Sequence, residues 1–117
     1  MGQVFSLHEY ELNPGVEASA FEEAIQRLRR RGVPALPGLT GFRLIKGIKG
    51  QRRGLYAVLW TYESRRAWEQ LWGPPEQPLP RSACPASWHA WEETLQPFLD
   101  REPDRIAFTV YEEFFGG

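Results

Sequence analysis

At 117 residues, with 42% hydrophobic and 25% charged side chains, the chain has the size and composition of a globular domain with a sizeable core, and it is neither disordered nor fibrous. A formal net charge of -1 leaves no electrostatic footprint for nucleic acid, and no apolar stretch approaches the roughly 20 residues of a membrane span. The segment from Met1 to Glu11 lacks the basic start and apolar core of a signal peptide, so the expectation is a cytoplasmic protein whose residues 1–117 form a single domain.

The first strand is expected over Val4 to Leu12, where Val4, Ser6, His8, Tyr10 and Leu12 share one face and Phe5, Leu7, Glu9 and Glu11 the other. Asn13-Pro14-Gly15 stops it. Ser19 with Glu22 has the spacing of a capping box, and Phe21, Ile25 and Leu28 recur at helical intervals, which predicts an amphipathic helix from Ser19 to Arg31. The arginines that end it suit the negative end of the helix dipole, and they form a solvated last turn or an anion site.

Two strands are expected next, Phe42 to Ile48 and Leu55 to Glu63, joined by a glycine-rich basic hairpin loop. The second is apolar or aromatic on both faces, which predicts an interior place in the sheet. Ser64 caps a short helix carrying Trp68, Leu71 and Trp72. Residues 73–86 hold five of the chain's ten prolines, which excludes helix and predicts an irregular insertion of the kind that covers something. Ser87 is the expected cap of a further helix bearing Trp88, Trp91, Leu95 and Phe98, and a last strand is expected over Ile106 to Phe114.

This order, β-α-β-β-α-β, is the α+β ferredoxin-like layout: one antiparallel sheet with helices on one face only. The other face would leave Phe5, Leu7, Leu55, Ala57 and Leu59 in water. Each large apolar group so exposed forgoes about 1.5–3 kcal/mol, which favours a homodimer burying on the order of 800 Å² per partner. The alternative is that the Pro-rich segment folds over that face.

Three stretches together resemble a known family: Leu12-Asn13-Pro14-Gly15-Val16, Pro37-Gly38-Leu39-Thr40-Gly41-Phe42, and Leu59-Trp60-Thr61-Tyr62-Glu63-Ser64. The chain is similar over nearly its whole length to the dimeric α/β-barrel superfamily, and in particular to antibiotic-biosynthesis-monooxygenase-like domains. The resemblance implies two protomers packed sheet against sheet into a barrel, each with a small-ligand cavity between its sheet and its helices. It also implies a set of activities that includes cofactor-independent oxygenation of polyphenols and haem degradation, besides members with no established activity.

On the helix-covered side such a cavity would collect Ser6, His8 and Tyr10 from the first strand and Tyr56, Trp60 and Tyr62 from the third, closed by Trp68, Trp72, Trp88, His89 or Trp91. Aromatic walls with a few polar tips suit a flat hydrophobic molecule, and the same rings also suit a plain core. His8 is the candidate base, since an imidazole takes a proton near neutral pH, with Tyr62 and Trp60 orienting an aromatic or enolic substrate. A satisfied strand histidine is the other reading.

Haem-degrading members combine a first-strand asparagine, a tryptophan leaving the third strand and a helical histidine. His8 and Tyr62 stand where the first two would be, and the Pro-rich insertion breaks the spacing to His89, so haem is the lesser expectation. Two histidines and the lone Cys84, in separate segments, show no metal-ligand spacing, so neither a metal nor another cofactor is expected. The enzyme reading therefore stands beside a non-catalytic homodimeric module that binds a hydrophobic small molecule.

Overall fold

A computed structural model describes residues 2–117; Met1, the first residue of the leader reading, lies outside the described residues. The elements in chain order are β1 (Val4–Glu9), α1 (Ala18–Arg30), β2 (Leu39–Lys46), β3 (Tyr56–Tyr62), α2 (Arg65–Trp72), α3 (Ala86–Leu95) and β4 (Ala107–Glu112). Single turns of 3-10 helix occur at Arg81–Ala83, Gln96–Phe98 and Pro103–Arg105. The sheet order is β2-β3-β1-β4 and every pairing is antiparallel, which is the ferredoxin-like arrangement.

The apolar run of β3 lies inside the sheet, between β2 and β1. Its Tyr56, Val58, Trp60 and Tyr62 alternate onto the helix side with Val4, Ser6 and Tyr10, and all seven are buried. Helix α1 adds Phe21, Ile25 and Leu28 to that core, and α3 adds Trp91 and Leu95. On the opposite side of the sheet Phe5, Leu7 and Leu59 are only partly covered, and Ile45 and Tyr111 are exposed. The helices cover one face.

Strand limits differ from the sequence expectation mostly by shortening, as irregular ends drop out of the ladder, while β2 gains three residues at its start. β1 ends at Glu9 rather than Leu12, which instead bridges Leu99, and β2 begins at Leu39 and stops before Ile48. β4 is limited to Ala107–Glu112, leaving Phe114 and Phe115 exposed beyond it.

Two helix caps are corrected. Helix α1 starts at Ala18 with Glu17 in the capping position and no side-chain cap bond, so Ser19 lies within the first turn. The carboxylate of Glu22 is taken instead by the Tyr56 hydroxyl. Pro85, not Ser87, precedes α3, and the Ser87 hydroxyl accepts a hydrogen bond from the Ala35 amide at 2.7 Å, tying the entry of β2 to α3. Ser64 caps α2 as its sequence implies, its Oγ accepting from the Ala67 amide at 3.1 Å.

Gly38 shows why the turn into β2 needs glycine. Its φ is +81°, and a Cβ there would stand 2.5 Å from Cβ of Ala67, so α2 packs directly on bare backbone. The hairpin between β2 and β3 is tied down by Arg52, whose Nη2 donates to the carbonyls of Tyr10 at 3.1 Å and Tyr56 at 2.9 Å.

Candidate functional site

A cavity of about 680 Å³ lies on the helix side of the sheet, at the β1/β4 edge. Ser6 and His8 of β1 form its floor, Tyr62 with Trp68 and Trp72 of α2 one wall, and Trp88 and Glu92 of α3 another. The Pro-rich segment supplies the outer side through Pro75, Pro78, Leu79, Arg81 and Cys84. That segment therefore sits over the cavity on the helix side and does not roof the bare face of the sheet. A shallower hollow of about 540 Å³ over Arg65, Glu69 and Pro74 is open to solvent and has no aromatic wall.

The site residues expected from the sequence divide by depth. Ser6, His8, Tyr62, Trp68 and Trp72 meet at the cavity. Tyr10, Trp60 and Trp91 are placed in the core instead, each at most 2% exposed. Trp60 does face the helices, but Phe42, Trp91 and Trp88 cover it with ring centroids 4.9, 4.8 and 5.2 Å away. Tyr10, at the far end of β1, packs on Phe21. His89 is placed outside the lining, with Nδ1 3.8 Å from the Glu92 carboxylate.

His8 is ringed by Trp60, Trp88 and Phe108, each T-shaped with centroids 5.8 Å away. Its Nδ1 is sealed from solvent and has no hydrogen-bond partner, so Nε2 is the nitrogen left to the cavity. Desolvation penalises the imidazolium, and the pKa falls from 6.5 to about 4. The ring is neutral at physiological pH.

Tyr62 is neutral too, its pKa pushed up to about 12 chiefly by burial and only partly relieved by a bond from Trp72. Because the Trp72 Nε1–H donates to the Tyr62 hydroxyl oxygen at 3.3 Å, the hydroxyl keeps its own proton free to donate elsewhere. The floor and the α2 wall thus offer a neutral imidazole nitrogen and a phenolic donor in an aromatic surround.

Four wall residues were not singled out as site candidates from the sequence: Arg81, Glu92, Asp104 and Phe108. Glu92 is a buried carboxylate of α3, gripped by Arg81 with Nη2 at 2.7 Å and Nη1 at 3.2 Å, while Nη1 also stands 3.9 Å from Asp104. Glu92 follows Trp88 by one helical turn, so α3 periodicity carried a signal for it; the placement of Arg81 and Asp104 depends on long-range packing. Phe108 pairs directly with His8 across β1 and β4. Cys84 is half-buried, and burial, then the charge of Glu92, pushes its thiol pKa up. Among the described residues no three His, Cys, Asp or Glu side chains are grouped to hold a metal ion, and no helix is long and apolar enough to cross a membrane.

No family model matches the chain, and no curated protein matches it. Solved structures do match. A dimeric ferredoxin-like protein of unknown function from Jannaschia sp. CCS1 superposes with a TM-score of 0.65 at 20% identity, covering 96% of this chain and all (100%) of that one. A protein from Bordetella bronchiseptica, named provisionally as an antibiotic biosynthesis monooxygenase, gives 0.66 at 13% identity over 98% of this chain and 100% of that one. One from Caulobacter crescentus CB15, provisionally named in the same way, gives 0.58 at 16% identity, covering 99% and 92%. The class these comparisons define is the ferredoxin-like fold, and the structures that share it include dimeric proteins and provisional monooxygenases.

Proposed function

We propose that the protein pairs through the bare face of its sheet into a dimeric α/β barrel, and that each protomer binds a flat hydrophobic aromatic or enolic molecule and oxygenates it without a bound cofactor. The observation that carries this reading is His8: a neutral imidazole in the floor of an aromatic cavity, with one nitrogen toward the ligand. The similar structures named as dimers and as provisional monooxygenases support it.

The depressed pKa constrains how His8 works. A phenol-like hydroxyl titrates near 10, about six units above the imidazolium of His8, so full transfer in the resting complex is uphill by ~8 kcal/mol. His8 therefore accepts a hydrogen bond through Nε2, with its own proton on Nδ1 against the tryptophan rings, and takes the substrate proton only as an electron leaves the substrate for dioxygen. The free proton of Tyr62 holds a substrate oxygen. With an enolisable CH2 as the source of both electron pairs, CH2 plus O2 gives C=O plus H2O, and no other reductant enters.

The test is oxygen uptake with an enolisable tricyclic ketone such as anthrone, alongside quenching of tryptophan fluorescence as the measure of binding. His8→Ala should lower uptake by about 100-fold or more while binding and the dimer persist. Uptake at the wild-type rate in His8→Ala refutes the base. Quenching by anthrone with no uptake in the wild type favours the second reading, a non-catalytic binding module, which the low basicity of His8 also suits. A stable monomer in sedimentation at micromolar concentration refutes the barrel.

A further inference from the structure

We propose that the Pro-rich segment between Gly73 and Pro85 is a lid along the outer side of the cavity, and that the Arg81–Glu92 ion pair is the latch holding it down. The inference rests on the cavity being a ligand site only for its purpose; the ion pair itself is present without any ligand.

The segment is poorly anchored by its backbone. Among the described residues, its one backbone hydrogen bond from residues 75–83 to the body of the protein is the Leu79 amide to the Trp72 carbonyl at 2.8 Å. The others, Gln77 to Pro74, Ala83 to Pro80 and Cys84 to Arg81, close turns within the segment. Pro75 to Pro80 are all exposed, a profile of few outside contacts that marks the low-stability end of a fold. The proline-fixed backbone makes it a stiff strap rather than a floppy loop.

Its two ends differ. At the start Gly73, with φ +85°, lets the chain fold back so closely that a Cβ would stand 2.7 Å from the Leu79 amide nitrogen and 2.8 Å from the Gln77 carbonyl oxygen. That crowded turn, closed by the Leu79–Trp72 bond, holds the first end in place. Toward the far end the grip comes from a side chain: Arg81 is half-exposed, but the carboxylate it holds is 5% exposed on α3. Among the described residues, the ion-pair partners of Glu92 are Arg81 and the neighbouring His89 ring, 3.8 Å away, so lifting the strap strands a buried charge until water follows it in. This makes the docked position of the strap the resting one and its lifting a discrete event. Asp104, at 3.9 Å from Arg81, stands at the rim where an opening arginine would swing.

The experiment compares wild type with Arg81→Met and with the double variant Arg81→Met/Glu92→Gln, in which no unpaired buried charge remains to unfold α3. Amide hydrogen exchange over residues 75–84 and acrylamide quenching of tryptophan fluorescence are measured on each. Exchange in the segment should speed up by about tenfold or more in both variants, with β1 and β3 unchanged and quenching increased as Trp72 and Trp88 are uncovered. Unchanged exchange and quenching in the double variant overturn the latch. Acceleration spread across the sheet in the double variant overturns it equally, since it assigns the pair to global stability. A latch that behaves as stated while anthrone fails to bind leaves the fault with the ligand reading alone.

Discussion

Trp60 gives the sharpest test of where the core ends and the cavity begins. It is fully buried, at 0% exposure, and its indole meets Trp91, Phe42, Trp88 and His8 with centroids 4.8 to 5.8 Å away. Truncation to alanine removes this hub and should cost about 3–5 kcal/mol. With an unfolding entropy of ~2.1 cal/mol/K per residue, or ~0.25 kcal/mol/K for this chain, Tm should fall by about 12–20 °C. Trp60→Phe should behave otherwise, because the indole Nε1–H is buried without a partner. Phenylalanine loses contact area but also removes a donor whose burial costs ~1–3 kcal/mol, so the two changes offset and Tm should stay within about 6 °C. Far-UV circular dichroism melts at one fixed protein concentration read both variants, since any dimer couples stability to concentration. A Trp60→Ala melt within about 5 °C of wild type would refute the placement of this ring in the core.

Acidification should weaken the fold through His8. Its folded pKa, about 4, lies below the unfolded 6.5, so the unfolded state binds the extra proton first and stability declines as pH falls from 6.5 toward 4, by roughly 2–3 kcal/mol. Urea midpoints across that range should show the decline in wild type and a reduced one in His8→Leu; equal slopes would sink the assignment. Gly38→Ala adds a Cβ 2.5 Å from Ala67 at a positive φ, and a loss of about 2 kcal/mol or more in urea unfolding is expected, an unchanged midpoint being the contrary result. On the bare face, Leu59 stands opposite Leu7. Leu59→Glu would set like charges against each other across the proposed interface, so sedimentation should show folded monomer at micromolar concentration, and a persistent dimer would remove that face from the contact.

The sheet was legible because its signals are local. Alternation along β1 and the doubly apolar β3 fix which residues share a face, and β3 does lie between β2 and β1. The caps show the limit of local reading. Ser-x-x-Glu at Ser19 and Glu22 has the spacing of a capping box, but Glu22 is engaged by Tyr56, 34 residues away in the chain, and Ser87 by the amide of Ala35, 52 away. The tryptophans show the same limit in another form. Helical spacing marks Trp88 and Trp91 alike as inward-facing, yet only Trp88 reaches the cavity, because a helix's rotation about its axis is set by what it packs on. Arg81, Glu92 and Asp104 meet only once the insertion has folded back across α3, and no spacing in the sequence encodes that.

The packing that makes the core stable also sets the chemistry at its edge. Trp60 and Trp88, which help hold β1 and β3 against α3, are two of the three rings that desolvate His8. The third, Phe108, is 63% exposed and belongs to the edge strand β4. The basicity of His8 is therefore fixed from inside by residues that cannot change without loss of stability, and from outside by one that can. A ligand that covers Phe108 and excludes water lowers the imidazole's basicity further; one that brings an anionic oxygen to Nε2 raises it.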